Sequence, residues 1–246
     1  MRKTVLFAAL AGLLALLANP MQAEENASNP LAAVNNTDLR VQGRFDGSTD
    51  TFDYYIDGAD MVTPKLKLKY ELHYLSTDVT GSTEHDFEKL SLKPIYFPTE
   101  GKLNDSWAYR LAVGVEAIID LGDTDKGIGM GSDQIAPLFG VAFANPETRW
   151  TLIPLVQHFA DVNGDTDISQ TSARLIAIHP FGDANWVKFD LKLPYDWEND
   201  ALPATAEIQL GHNINEGRAF YVDGLFGLGS DRPYDFGLGL GLRFNY

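Results

Sequence analysis

The chain has 246 residues, with 34 acidic against 19 basic, a formal net charge of −15 and no cysteine. The acid excess excludes a nucleic-acid binder, which needs a basic face for phosphates. The missing cysteines exclude a disulfide framework, thiolate metal sites and a cysteine nucleophile.

Residues 1–23 read as a secretory signal. Arg2 and Lys3 precede an uncharged apolar run from Val5 to Leu17, and Met21-Gln22-Ala23 offers a cleavage site. Removing the signal takes two basic residues and no acid, so the formal charge falls from −15 to −17. No later apolar run reaches the length of a membrane helix. Residues 24–37 are a polar leader, expected either to fold into the mouth of the domain behind it or to stay a loose tail.

Residues 38–246 read as strand after strand. Leu39, Val41 and Phe45 mark a weak first strand. The second sets Phe52, Tyr54 and Ile56 against Asp53, Tyr55 and Asp57. The third is clearer: Leu66, Leu68, Tyr70, Leu72 and Tyr74 alternate with Lys65, Lys67, Lys69, Glu71 and His73. Period-2 alternation puts the two sets on opposite faces. A row so charged must face water, because packing it in a dry core carries a heavy desolvation penalty. The fourth strand sets Leu90, Leu92, Pro94 and Tyr96 against Lys89, Ser91 and Lys93, and Pro94 breaks its ladder. The segment 99–105 reads as a turn.

The fifth strand is the longest, with Trp107, Tyr109, Leu111, Val113, Val115, Ala117, Ile119 and Leu121 on one face and Arg110 and Glu116 on the other. After a glycine-rich acidic loop, Ile135, Pro137, Phe139, Val141 and Phe143 make the sixth. The seventh, from Trp150 to Phe159, is apolar without clear parity. The eighth runs from Thr171 to His179 and carries Arg174. In the ninth, Val187, Phe189, Leu191, Leu193, Tyr195 and Trp197 alternate with Lys188, Asp190 and Lys192. Ala204 to Gly211, with Glu207, is the tenth, and Phe220 to Leu228, with Asp223 inward, the eleventh. The last stretch closes the series: Tyr234, Phe236, Leu238, Leu240, Leu242, Phe244 and Tyr246 alternate with small or polar residues, including Arg243.

Rings at the ends and aliphatics between are the pattern of a strand that crosses a bilayer. The expected fold is all-β, a transmembrane antiparallel up-and-down barrel of about 12 strands, even in number as bacterial barrels require. Counting back from a periplasmic C-terminus makes alternate connections short, with longer acidic loops outside the cell. Trp107, Tyr109, Tyr195, Trp197, Tyr234, Phe244 and Tyr246 are the expected membrane-interface aromatics. The expected partners are outer-membrane lipid and the assembly machinery, which would read the C-terminal Phe-x-Tyr strand.

Leu193-Pro194-Tyr195-Asp196-Trp197-Glu198-Asn199, Ile208-Gln209-Leu210-Gly211, Arg232-Pro233-Tyr234-Asp235-Phe236 and Leu242-Arg243-Phe244 follow in an order that resembles a known family. Asn29-Pro30-Leu31 and residues 135–143 fit it too. These are the outer-membrane proteins associated with the meta pathway of phenol degradation, a transporter-like barrel family that usually has Trp where this chain has Phe236. The resemblance implies an outer-membrane barrel passing aromatic or other small compounds, and leaves the solute open.

The inward polar rows carry the functional signal. Lys65, Lys67, Lys69, Glu71, His73, Lys89, Lys93, Arg110, Glu116, Lys188, Asp190, Lys192, Glu207 and Arg243 are the expected pore lining of a passive, charge-tuned channel that is not an enzyme. Two alternatives remain open. The same groups could pair off and close a structural or surface-interaction barrel. A barrel hydrolase acting on lipid would need His158 or His179 beside a nucleophile and an acid. Asp161-Val162-Asn163-Gly164-Asp165-Thr166-Asp167 starts like a calcium loop but fails at Thr166 and Ser172, so no metal and no cofactor is expected.

Overall fold

The computed structural model describes residues 26–246; the signal 1–23 and leader residues 24 and 25 lie outside them. The strands are β1 (Asn36–Asp46), β2 (Thr49–Thr63), β3 (Leu66–Thr77), β4 (Glu84–Tyr96), β5 (Glu100–Lys102), β6 (Ala108–Asp120), β7 (Ser132–Ala144), β8 (Thr151–Gly164), β9 (Ser169–Phe181), β10 (Asn185–Asp196), β11 (Thr205–Asn215), β12 (Arg218–Gly227) and β13 (Phe236–Asn245). Each long strand pairs antiparallel with the next in sequence, β13 pairs with β1, and β4 pairs with β6. The result is a closed up-and-down barrel of 12 long strands with no α-helix among the described residues. All twelve expected strands are present. The segment expected as a turn holds the extra piece, β5, which pairs with β6 where β4 has already left it.

Closure gives each of the 12 long strands a paired neighbour on both sides, so no long edge is left open. The alternation then sorts side chains. On β13 the outward Phe236, Leu238, Leu240, Leu242 and Phe244 are exposed, with Leu238 at 66%, while the inward Gly237, Gly239, Gly241 and Arg243 are buried. The same outward apolar band continues through Phe52, Tyr54 and Ile56 on β2, Val113, Val115 and Ile119 on β6, and Phe139 on β7. Water does not tolerate an apolar belt of this extent; a bilayer covers it.

The inward glycines of β13 have a packing reason. Tyr221 from the neighbouring β12 lies across the backbone there, and a Cβ at Gly241 would collide with its ring. A Cβ at Gly239 would meet Asp223 at 2.9 Å. Glycine lets the long side chains of the flanking strands lie flat on this stretch of wall.

Irregularities fall where the sequence places them. The β4–β6 ladder runs from Lys89↔Asp120 to Leu92↔Ala117, then resumes only at Ile95↔Gly114. Pro94, which has no N–H to give, sits in the gap. A bulge in β4, opposite His73 and Tyr74, puts Phe87 outward although Lys89 and Ser91 face inward.

Both described chain ends lie at one end of the barrel, where Tyr246 N donates to Asn35 O at 3.4 Å. The connections at this end are short, such as residues 64–65, 182–184 and 216–217, except residues 97–107, which carry β5. At the opposite end residues 121–131, 197–204 and 228–235 form longer loops.

The leader is not a loose tail. Leu31 and Ala32 are buried inside the barrel at the terminal end. There many inward residues are apolar: Leu31 packs in a cluster with Ile95, Ala112, Leu138, Ala142, Ile153, Ile176, Ile178 and Trp186, beside the buried charges of Asp38, Lys67, Arg110 and Arg243. This explains the poor parity of residues 150–159. The inward face of β8 includes Ile153 and Leu155 because it packs near the leader, so both of its faces are apolar.

Candidate functional site

Above the leader the barrel wall is charged. Arg44 (β1) pairs with Asp53 (β2) at 3.0 Å, and Arg174 (β9) with Asp190 (β10) at 2.5 Å. Lys188 (β10) pairs with Glu207 (β11) at 2.7 Å, and Lys93 (β4) with Glu116 (β6) at 2.7 Å. Arg40 (β1) reaches over β13 to Asp223 (β12) at 2.8 Å. Glu116 also accepts from Gln157 Nε2 at 2.6 Å, across β7, and from the Ser91 hydroxyl. In each case the partners lie on adjacent strands or span a single intervening one. The pairs run round the wall and do not cross the lumen.

This direction follows from the register. Asp190 stands opposite Glu207 on one side and next to the Arg174 row on the other. Neighbouring strands are about 5 Å apart, within reach of a side chain, whereas the far wall is not. A cavity of about 400 Å³ remains inside the ring. Its lining includes Arg40, Arg44, Lys69, Lys89, Lys93, Arg174, Lys188, Lys192 and Arg243 against Asp53, Asp57, Glu71, Glu116 and Glu207. Cations outnumber anions there, although the chain as a whole is strongly acidic.

The floor of this cavity is the leader, and polar anchors on facing parts of the wall hold it. Ser28 Oγ donates to Gln209 Oε1 at 2.7 Å and accepts from Arg243 Nη1 at 3.0 Å. Trp186 Nε1 donates to the same Gln209 oxygen at 3.1 Å. Arg243 is itself clamped by Asp38, which also accepts from the Tyr221 hydroxyl at 2.7 Å. On the β3–β6 side Lys67 Nζ donates to Ala32 O at 2.7 Å, and Arg110 donates to Leu31 O at 3.4 Å.

Of the expected pore residues, Lys69, Glu71, His73, Lys89, Lys93, Glu116, Lys188, Lys192, Glu207 and Arg243 line the cavity. Lys67 and Arg110 hold the leader, and Arg110 also pairs with Glu100 at 2.8 Å. Asp190 is buried beneath Arg174 and Lys188. Lys65 departs from expectation: it is exposed in the β2–β3 turn, because the strand starts one residue later, at Leu66. The interface aromatics Trp107, Tyr109, Phe244 and Tyr246 lie at the terminal end. Tyr195 and Trp197 meet edge-on at 4.6 Å at the loop end. Tyr234 departs too. It precedes β13 and turns over the mouth, where it lines a pocket with Arg44, Leu75 and Thr77.

The pore expectation missed Asp38, Arg40, Gln42 and Arg44, the inward row of β1. Their period-2 polar spacing was the available signal, but Gly43 interrupts the apolar row opposite and hides the strand. It also missed Arg174 and Gln157, which sit among apolar neighbours, and Gln209, although that residue continues the polar row of Thr205 and Glu207.

Asp53, His73 and Glu88 bring an imidazole nitrogen and two carboxylates within 4.8 Å of one another, the one such group among the described residues. Arg44, 3.0 Å from Asp53, and Lys89, 3.5 Å from Glu88, already supply the countercharge a cation would bring. The histidines do not converge. His158 lies near the loop end, its Nδ1 3.0 Å from the Thr171 hydroxyl, which also accepts from Trp197 Nε1. His179 stacks on Trp150 near the terminal end, 4.7 Å between centroids.

No protein-family model matches the chain, and no curated protein matches it. Solved structures do. An outer membrane channel from Pseudomonas putida F1 superposes with a TM-score of 0.64 at 10% identity, covering 93% of this chain and all of that one. A KdgM porin gives 0.56 at 10% identity, covering 86% of this chain and 99% of its own. The fold is one that outer-membrane channels have. Outer membrane phospholipase A from Escherichia coli gives 0.50 at 14% identity, covering 85% of this chain and 92% of its own. At such identities the likeness is one of fold alone.

Proposed function

We propose that this chain is a bacterial outer-membrane channel for passive, charge-tuned passage of small molecules. The observation that carries this reading is the direction of the ion pairs: they run round the wall and leave a charged cavity inside. A ring of fixed charge selects among solutes without consuming energy. The outward apolar band supports residence in a bilayer. The short connections and both described chain ends would face the periplasm and the longer loops the outside, as in other outer-membrane barrels. The closing strand, with Phe244 and Tyr246 at its end, would be what the assembly machinery reads. The aromatic compounds suggested by the family resemblance are one candidate solute class.

A second reading, a closed structural barrel, draws on the buried leader, since Leu31 and Ala32 fill the terminal end. One experiment separates the two. The full chain and a variant lacking residues 26–35 are refolded and placed in planar lipid bilayers. The channel reading expects small current steps from the full chain and larger ones from the variant. No steps from either, with no swelling of solute-loaded liposomes, would leave the closed barrel standing. Lipid hydrolysis has less support, because His158 and His179 lie at opposite ends of the wall.

A further inference from the structure

The cavity is two-sided, and the two sides meet along one row of the sheet. Leu155 on β8 is the register partner of Arg174 on β9, and Arg174 is the partner of Lys192 on β10. All three line the cavity. On the β8 side the lining continues with the apolar Leu138 and Phe159, while Gln157 between Leu155 and Phe159 is buried with its amide turned to Glu116. On the β10 side it continues with Lys188. Directly paired residues have Cβ atoms about 5 Å apart, so an apolar surface and a cationic one lie within the span of a small molecule.

The cations on this row are not equally free. Arg174 is held by Asp190 and Lys188 by Glu207. Those two carboxylates are therefore occupied. Lys192 makes no hydrogen bond or ion pair with any described residue. An ammonium kept on a wall beside two other cations, with no carboxylate of its own, is favourable only if water or an anion faces it. The volume of about 400 Å³ admits a small organic molecule.

We infer that the cavity binds a small amphipathic organic anion. Its carboxylate sits at Lys192 and its short apolar body lies against Leu155 and the neighbouring apolar wall. This rests on the channel reading and names the class of solute the channel prefers. An anion without an apolar body leaves the Leu155 side wet. A cation of the same shape meets Arg174 and Lys192 head-on.

The test is titration calorimetry on the full chain refolded in detergent, with empty micelles as the blank. The probes are pentanoate, acetate and pentylammonium. Pentanoate is expected to bind, acetate roughly tenfold or more weakly because it lacks the buried methylenes, and pentylammonium not at all. Lys192→Glu is expected to weaken pentanoate about tenfold, and Lys192→Arg to retain it. Leu155→Ala is expected to weaken pentanoate and leave acetate unchanged. Heat-modifiable gel migration checks that each variant forms the barrel. Equal binding of acetate and pentanoate, or an unchanged affinity in a folded Lys192→Glu protein, would overturn the proposal. Bilayer currents separate the two readings: binding without current sinks the channel and keeps the site, and current without binding does the reverse.

Discussion

The two halves of the lumen solve the same problem in opposite ways. At the terminal end the interior is packed, mostly with apolar groups, and its few charges are tied to the leader or to each other, as Lys67 is to Ala32 O and Arg243 to Asp38. Leu31 enters from the leader and packs on inward Ile95, Leu138, Ile153 and Ile176, with alanines filling the narrow places. Toward the loop end the interior is wet, and the inward positions carry charges paired along the wall. A 12-strand barrel is too wide for its own side chains to fill. One end closes with a piece of chain, and the other stays open with charge. The difference shows that a lumen is not one environment, and that inward does not mean polar.

Removing the packed side chain is the strongest way to break this comparison. Leu31→Ala takes the largest leader side chain from the packed half, and a substitution of this kind costs about 2–5 kcal/mol in a packed core. A lowered midpoint in denaturant unfolding, together with larger bilayer current steps, is the expected result. An unchanged midpoint would mean that the leader only rests in the barrel.

In the wet half, Asp190→Asn strips the counterion from Arg174 and Lys188, 2.5 Å and 3.7 Å away. Losing a charged hydrogen-bond partner costs about 1.5–3 kcal/mol, and Arg174, partly open to the lumen, keeps the loss toward the lower figure. Unfolding midpoints compared with Leu31→Ala would rank the two halves. If Asp190→Asn proves the more damaging, the wet half is the structural core and the leader an ornament.

The smallest effect belongs outside the barrel. Asp231, in the loop before β13, accepts from Leu202 N at 2.9 Å and from the Ser230 hydroxyl at 3.0 Å. These bonds, that to Leu202 first, hold its carboxyl below the ordinary carboxylate value. A lowered carboxyl contributes its tie above the unfolded value, and the tie is lost as pH falls through the folded one. Proteolysis of residues 197–204 is therefore expected to speed up only in acid, and Asp231→Asn to show the fast rate at neutral pH. The barrel's own unfolding midpoint should not move.

Much of this was legible one residue at a time. The charged row of β3 and the alternation of β13 reveal strands because lipid and water impose their preferences at every second position. Pro94 announced the gap in the β4–β6 ladder. The legible part of the site is the set of charges with strong alternation around them, such as Lys188 and Lys192. Arg174 and Gln157 sit among aliphatics, so no local pattern distinguishes them. Tyr234 continues the alternation of β13 on paper, yet the strand begins at Phe236 and the ring turns over the mouth instead.

By itself, the order of residue types determined that this chain is a barrel of about twelve strands, which positions face out where the alternation is strict, and which end carries the longer loops. Only the closed structure decided that Leu31 lies inside, that Asp38 clamps Arg243, and that Arg174 stands between Leu155 and Lys192. The reason is range. Facing is set by a residue and its neighbours two positions away, whereas lumen contacts join residues far apart in sequence, and register and closure alone bring them together.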